Sequence, residues 1–171
     1  NEAATMLGEH AAGTEKKFVE MMNGRARELQ LDSAKFYNAH GLPAYTRHVF
    51  SSKLQNQMNA KDLYTLACYV VNKYPEIIDI THKERISVSS VEGFEYSGSS
   101  TNRLIFQLDG VDGLKTGTTN RAGACFVGTM LAVPGDENSR VIAVVLGAED
   151  NMERYWKTGI LLQFGIESYQ K

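Results

Sequence analysis

The sequence predicts an α+β fold in which helices come first, an antiparallel sheet follows and a last helix covers the sheet. Glycine divides the chain, because residues 1–92 hold four glycines and residues 93–171 hold eleven. Apolar residues recur with helical spacing in the first part, whereas they alternate or run continuously in the second. Helices followed by paired strands are typical of a layered α+β domain around one core.

Three helices are expected in the first half. The first ends at Gly13, and its apolar face consists of Ala3, Ala4, Leu7 and Ala11. The second has its charges opposite a face formed by Phe18, Met21, Met22, Ala26 and Leu29. An irregular stretch follows from Asp32 to Gln57. Asn59 then caps a third helix, which ends at Pro75 and has its apolar face at Leu63, Leu66, Ala67, Val70 and Val71.

Strands and turns are expected from Arg85 onward. Ile86 and Val88 alternate with polar neighbours in a first strand, and a turn is expected from Gly93 to Ser100. Two apolar strands, Cys125 to Val133 and Arg140 to Leu146, are joined by a turn sequence and predict an antiparallel hairpin. The last helix spans Asn151 to Phe164, with four residues expected to face the core: Tyr155, Trp156, Ile160 and Leu161.

Composition excludes several classes of function. The chain has 18 Lys plus Arg against 20 Asp plus Glu, a net charge of −2, with no block of like charge. A nucleic-acid-binding surface would need a clustered basic excess. The longest apolar run, Val141 to Leu146, is too short to cross a bilayer. The histidines lack metal-ligand spacing, so neither a metal nor a cofactor is predicted from His10, His40, His48 and His82.

The sharpest chemical motif is Lys115-Thr116-Gly117-Thr118. A lysine and two hydroxyls around a glycine suit a substrate that carries a carboxylate, because the glycine lets the substrate backbone approach. A phosphate-binding loop would need glycine directly before the lysine, where this chain has Leu114, so that fingerprint fails. Taken alone, the motif is also compatible with a plain turn between strands.

The surroundings of this motif carry a family resemblance. The segments that carry it are Ser100-Thr101-Asn102-Arg103-Leu104, Gly110-Val111-Asp112-Gly113-Leu114 before the motif, Ala122-Gly123 after it, Asn38-Ala39-His40-Gly41-Leu42, Ala60-Lys61-Asp62-Leu63 and Val144-Val145-Leu146-Gly147-Ala148. Together they resemble the D-alanyl-D-alanine carboxypeptidases, the low-molecular-mass penicillin-binding proteins, over essentially the whole chain. The resemblance implies a transpeptidase- and β-lactamase-like sheet flanked by helices and incomplete at the N-terminus, with residues 1–171 as part of one catalytic domain.

The resemblance also implies roles for individual residues. The expected catalytic residues are Lys115, which helps to hold the proton network, and Asn1, which corresponds to the asparagine of a Ser-x-Asn element. The expected substrate-binding residues are Thr116, Gly117, Thr118 and Arg103. The two threonine hydroxyls would donate to the substrate carboxylate, and the backbone N–H of Thr118 would form half of an oxyanion hole. Asp112, beside the motif, is expected to fix the turn by accepting backbone hydrogen bonds.

One family element has no counterpart in these residues. The Ser-x-x-Lys element, which carries the nucleophilic serine, is expected N-terminal to Asn1, on a segment that would be a partner of this chain. Thr14 and Lys17 imitate its spacing but follow the Ser-x-Asn position, and they are expected to start the second helix instead. Since the chain begins without methionine, it is expected to be processed or cut from a longer protein. Alone it would expose a sheet edge and be unstable, oligomeric or strand-swapped.

The function implied by the resemblance is D-alanyl-D-alanine carboxypeptidase activity on peptidoglycan stem peptides in the bacterial cell envelope, outside the cytoplasmic membrane. The reaction would pass through an acyl-serine, and β-lactams would acylate the same serine. One alternative is an inert fragment with a structural or weak binding role. The other is a class A β-lactamase, whose deacylating glutamate is most nearly imitated by Glu28. Because Glu28 falls on the charged face of the second helix, the carboxypeptidase is favoured.

Overall fold

A computed structural model describes residues 1–43, 45–46, 49–50 and 54–171, with only the backbone described at 45–46 and 49–50. The chain forms two compact units, Asn1–Leu66 and Ala67–Lys171. His48, and with it a part of the predicted irregular stretch, lies outside the described residues. Two two-residue strands within that stretch, β1 (Tyr45–Thr46) and β2 (Val49–Phe50), pair antiparallel.

The first helix of the N-terminal unit ends, and the second begins, where the sequence predicts. Helix α1 spans Glu2–Ala12 and ends at Gly13, whose φ of 81° is a left-handed conformation that favours glycine. Helix α2 spans Glu15–Glu28, and the hydroxyl of its N-cap, Thr14, accepts a hydrogen bond of 3.3 Å from the Lys17 N–H. The Thr14 hydroxyl therefore has a structural role, which agrees with the expectation that Thr14 and Lys17 start a helix.

The predicted apolar face of α1 is wrong. Leu7 is 69% exposed, whereas Gly8 is buried. A Cβ added to Gly8 would lie 2.7 Å from the ring of Phe18, so the two helices approach each other where α1 has no side chain. Close approach at a glycine, rather than the largest apolar residues, decides which face of α1 is covered.

Helix α3 spans Ala60–Lys73, and its predicted cap is confirmed. The Asn59 side-chain oxygen accepts a hydrogen bond of 2.8 Å from the Asp62 N–H. The Asp62 carboxylate accepts bonds from the N–H and the hydroxyl of Ser33, at 2.8 and 2.6 Å. These bonds lower the pKa of Asp62 and tie the start of α3 to the irregular stretch.

The C-terminal unit contains a two-stranded and a three-stranded antiparallel sheet. After a 3₁₀ turn and the short α4 (Ile78–Thr81), strands β3 (Arg85–Ser89) and β4 (Glu95–Ser99) form a hairpin. The predicted turn from Gly93 to Ser100 is thus too long, because most of it is strand β4. The second sheet has the order β5-β6-β7, with bounds Val111–Thr119, Gly123–Leu131 and Arg140–Ala148. Its β6–β7 hairpin confirms the prediction, and helices with antiparallel sheets confirm the α+β class.

Helix α5 (Asn151–Tyr169) covers the three-stranded sheet, but with a different face from the predicted one. Tyr155 is buried as expected, whereas Trp156, Ile160 and Leu161 are 65%, 46% and 44% exposed. The helix contacts the sheet through a core cluster of Leu104, Val111, Phe126, Met130, Ala143, Tyr155 and Leu162. The buried stripe also includes two polar residues, Arg154 and Thr158.

Candidate active site

The Lys-Thr-Gly-Thr run lies on β5, which is an outer strand of the described three-stranded sheet. Strand β6 pairs with one side of this run, in a register that sets Lys115 opposite Val127 and Thr118 opposite Ala124. An outer strand can offer its other backbone edge to an extended peptide. The motif is therefore part of a strand rather than a turn between strands.

The two threonines of the run differ in exposure. Thr118 is exposed, whereas Thr116 is only 7% exposed and its Oγ1 lies 2.7 Å from Oγ1 of Thr101. Thr101 is exposed at the surface. Because the bond between two hydroxyls uses only one of their two protons, the other proton stays available for a ligand. Thr101 and Thr116 thus form one hydroxyl pair beside the exposed residues Lys115 and Gly117.

Arg154, on the first turns of α5, lies against the motif from the helix side of the sheet. It is 5% exposed, and its Nη1 donates to the Gly117 carbonyl at 3.0 Å, to Thr118 Oγ1 at 2.9 Å and to the Cys125 carbonyl at 3.3 Å. Since the Thr118 hydroxyl accepts a bond from the guanidinium, its own proton is free to be donated elsewhere. The geometry turns Thr118 into a hydrogen-bond donor at the surface.

Tyr155 connects this arginine to the hydroxyl pair. Its hydroxyl accepts a bond of 2.9 Å from Nη2 of Arg154 and donates to the carbonyl of Thr101. Its ring packs edge-on against Phe126, with centroids 5.7 Å apart, and the guanidinium carbon of Arg154 is 4.9 Å from the Tyr155 centroid. One buried network therefore fixes both the Thr101–Thr116 pair and Thr118.

The site is electropositive. The ammonium of Lys115 donates to the carbonyl of Thr116, and partial desolvation of this ammonium, followed by the positive charge of Arg154, lowers the Lys115 pKa below its ordinary value of 10.5. The partners described for Arg154 are carbonyl and hydroxyl oxygens, which leave its charge uncompensated. Two cations and free hydroxyl protons around an exposed glycine match the chemistry of a carboxylate ligand.

Three other residues from the sequence analysis are not among the contacts described above. Arg103 is exposed in the short 3₁₀ helix Arg103–Phe106 and lines a groove of about 680 Å³ together with Trp156. Asn1 belongs to the N-terminal unit, where it precedes α1 and its ammonium lies 3.3 Å from a carboxylate oxygen of Glu2. Glu28 is 64% exposed and paired with Arg25 at 2.7 Å. The environment of Glu28 is that of a solvated helix end.

Asp112 does not have the partners that the sequence suggested. The Arg140 side chain donates to its carboxylate at 2.7 Å, and of the backbone groups only the N–H of Asp112 itself contributes, as the smallest cause acting on its pKa. Sequence reasoning also missed Arg154, because polar residues on α5 gave no indication of a buried face. Arg154, Thr158 and Leu162 follow at intervals of four, so a charged residue lies on the stripe that α5 buries. A charge on a buried stripe needs partners, which here are the residues of the motif.

The described residues contain no group of three or more side chains suited to hold a metal ion. No helix among them has both the length and the apolar character required for crossing a membrane.

Known relatives are similar to this chain in sequence. The chain is 34% identical over 170 residues to D-alanyl-D-alanine carboxypeptidase DacF of Bacillus subtilis and 30% identical over 169 residues to DacD of Escherichia coli. Each alignment covers 99% of this chain but only 40% and 39% of the relative, respectively. The chain therefore spans about two fifths of these relatives' lengths.

Two solved structures agree with this fold. A peptidoglycan synthesis regulatory factor from Streptococcus pneumoniae matches with a TM-score of 0.81 at 33% identity, over 98% of this chain and 48% of that one. A penicillin-binding protein of Listeria monocytogenes in its cefotaxime-bound form matches with a TM-score of 0.78 at 32% identity, over 96% and 60%. The D-alanyl-D-alanine carboxypeptidase family matches residues 1–150. The chain therefore belongs to the family of serine-type D-alanyl-D-alanine carboxypeptidases.

Proposed function

We propose that this chain forms the part of a D-alanyl-D-alanine carboxypeptidase that binds the carboxylate end of a peptidoglycan stem peptide. Residues 1–171 would then belong to one catalytic domain, with the nucleophilic serine supplied by a segment outside them. The protein would act in the bacterial cell envelope, outside the cytoplasmic membrane. Asn1 would take part in the proton network, and Arg103 would assist in holding the substrate.

The observation that carries this proposal is the hydrogen bond from Arg154 to Thr118. A hydroxyl that accepts from a buried guanidinium presents its proton outward, and Thr118 is exposed. Lys115 and Arg154 add positive charge, and the Thr101–Thr116 pair adds a second free proton. A terminal carboxylate accepts several such bonds at once, since each of its oxygens has two lone pairs.

The reaction would proceed in two steps. The serine oxygen attacks the carbonyl carbon of the penultimate D-alanine, the C–N bond breaks, and free D-alanine leaves with the proton that the serine gave up. Water then attacks the ester carbon and gives one of its own protons to the serine oxygen, which releases the shortened peptide and restores the serine hydroxyl. The backbone N–H of Thr118 would stabilise the oxyanion in both steps. A β-lactam would acylate the serine by the same first step, with its ring amide as the bond that opens.

The experiment is intact-mass analysis of the complete enzyme, that is, this chain together with the serine-bearing segment, before and after incubation with benzylpenicillin. The expected result is one added drug mass per enzyme, lost in the Lys115→Ala variant. Lys157→Ala is the matched control, because Lys157 pairs with Glu153 on α5, at 46% exposure, outside the proposed site. Unmodified wild-type protein, or equal labelling of Lys115→Ala and wild type, would contradict the proposal and favour the inert fragment.

Labelling alone does not separate a carboxypeptidase from a β-lactamase, so the fate of the acyl-enzyme is measured as well. A class A β-lactamase would release the hydrolysed drug rapidly through a deacylating glutamate. Glu28 is paired with Arg25 at a solvated helix end, which favours the carboxypeptidase. We expect a persistent adduct that Glu28→Gln does not alter, and release of D-alanine from acetylated Lys-D-Ala-D-Ala.

A further inference from the structure

The strand that carries the motif contains an irregularity three residues before Lys115. Val111 lies opposite Met130 and Gly113 opposite Thr129, so Asp112 is an extra residue on β5, a β-bulge. A one-residue change of register moves every later side chain to the other face of the sheet. The bulge therefore decides that Thr116 is buried and that Lys115 and Gly117 are exposed.

Side chains from three elements hold this bulge. Arg140 Nη1, from the first residue of β7, donates to Asp112 Oδ2 at 2.7 Å. Thr81 of α4 donates to the Asp112 carbonyl at 2.8 Å, and the Asn102 amide donates to the Gly113 carbonyl at 3.3 Å. A Cβ at Gly113 would lie 2.8 Å from Thr81 Oγ1, which shows how closely α4 contacts the bulge.

The Arg140 side chain crosses the middle strand to reach Asp112. It is 9% exposed, and its Nη1 also donates to Thr129 Oγ1 at 3.2 Å. Thr129 is fully buried and donates onward to the Val141 carbonyl at 3.0 Å. Because Thr129 is the residue opposite Gly113, the arginine contacts both sides of the bulge at once.

A contribution to fold stability does not explain the Asp112–Arg140 ion pair. A buried ion pair contributes little net stability, because desolvation of the two groups offsets their attraction. Desolvation raises the pKa of Asp112 in spite of the opposing hydrogen bond and charge of Arg140, and Asp112 Oδ1 is buried without a hydrogen-bond partner in the described structure. An apolar pair at these positions would avoid that cost but would not fix the bulge.

We propose that the Asp112–Arg140 ion pair is a positioning device that fixes the register of the Lys-Thr-Gly strand for substrate binding. The pair acts through the strand, since Asp112 precedes Lys115 by three residues and bonds to Arg140 rather than to a ligand. This inference rests on the proposed function. Its test is therefore designed so that failure of the positioning role can be distinguished from failure of the proposed function.

The test compares Asp112→Asn with wild type in the complete enzyme, through the rate constant and the amplitude of acylation by benzylpenicillin at 25 °C. We expect the second-order acylation rate constant to fall at least tenfold while the acylated fraction at long times stays the same. A purely structural role would lower the amplitude, as molecules unfold, without changing the rate constant. Glu137→Gln is the matched control, because Glu137 is the 69% exposed partner of the same arginine; it is expected to stay within twofold.

The outcomes separate cleanly. Wild type that is not acylated contradicts the proposed function before any variant is compared. Acylation of wild type and Asp112→Asn at the same rate overturns the positioning role and leaves the proposed function intact. If Asp112→Asn does not fold, Arg140→Lys answers the same question. It keeps the charge but loses the fork that contacts Asp112, Thr129 and Glu137 together, and we expect the same loss of rate.

Discussion

The guanidinium of Arg154 donates a hydrogen bond of 2.9 Å to the hydroxyl of Thr118, and so links a buried charge to an exposed side chain. The bond fixes the direction of the threonine proton, because the oxygen already accepts from the arginine. An exposed hydroxyl would otherwise rotate freely and lose that freedom on binding a ligand. The arginine thus preorganises Thr118, and this relationship can be tested from either residue.

Removal of the Thr118 hydroxyl should weaken the site without unfolding the protein. In Thr118→Val the side chain keeps its shape but has no proton to donate, so we expect acylation by benzylpenicillin to slow about tenfold, as for the loss of one hydrogen bond to a charged group. Thr118→Ser, which restores the hydroxyl, should stay near wild type. Equal rates for the valine and serine variants would show that this hydroxyl does not contact the ligand.

Replacement of Arg154 should affect both stability and the site. Arg154→Met leaves the carbonyls of Gly117 and Cys125 without this donor, and we expect a loss of roughly 2–4 kcal/mol in the free energy of unfolding, as for a broken buried network. Urea denaturation of the complete enzyme measures it. Arg25→Met is the control, because Arg25 makes an exposed ion pair whose loss should cost about 0.5 kcal/mol or less. Similar losses in both variants would contradict the network.

The positions of α5 and of the β6–β7 hairpin followed from the sequence, whereas the buried face of α5 did not. The strands are long apolar runs joined by a proline-glycine turn, and that pattern has few other solutions. On α5 the apolar residues Trp156, Ile160 and Leu161 suggested the wrong stripe. The helix instead contacts the sheet where Thr158 lies over Gly128, and a Cβ at Gly128 would be 2.6 Å from the Thr158 methyl.

The sequence singled out the motif residues, and their role in binding stays a prediction. Lys115, Gly117 and Thr118 are exposed on an outer strand, as a binding motif requires. The partners that organise them come from distant parts of the sequence, namely Thr101 and Arg154, and no local pattern announces such contacts. Thr158 illustrates the difficulty, because its hydroxyl donates to the Arg154 carbonyl at 2.7 Å and so becomes compatible with full burial. A hydropathy pattern does not predict the burial of a polar residue whose hydrogen bond is made within its own helix.

The lowered pKa of Lys115 predicts how pH changes stability. A lysine whose pKa is lower in the folded state binds its proton less tightly there, so the folded state is penalised below that pKa. The penalty disappears as the pH rises from the lowered pKa to the ordinary value of 10.5. Lys115→Met should therefore raise Tm at pH 7, and this gain should shrink toward pH 10.5. A gain in Tm that does not depend on pH would reflect packing of the methionine instead.

The same shift predicts the basic limb of activity. Lys115 attracts a carboxylate only while it is protonated. As the pH rises, acylation should therefore begin to decline at a lower pH than it would with a lysine of ordinary pKa. Because the charge of Arg154 is the second cause of the lowered pKa, Arg154→Met should move this limb to higher pH even as it slows the reaction. The pH profile of the acylation rate constant gives the midpoint pH of this limb independently of the maximal rate constant. An unmoved limb would show that the titrating group is not Lys115.

Two glycines provide a final, paired prediction. A Cβ at Gly117 would meet nothing within 4 Å, whereas a Cβ at Gly128 would meet the Thr158 methyl at 2.6 Å. Gly117→Ala should therefore fold with a stability close to wild type but slow acylation at least tenfold, because the new methyl group occupies the space through which the ligand backbone approaches. Gly128→Ala should show the reverse, with a loss of about 1–3 kcal/mol from overpacking and a nearly normal rate in the molecules that fold. Thermal unfolding and acylation kinetics on both variants test this separation. If both variants are acylated at the wild-type rate, Gly117 does not lie beside the bound ligand.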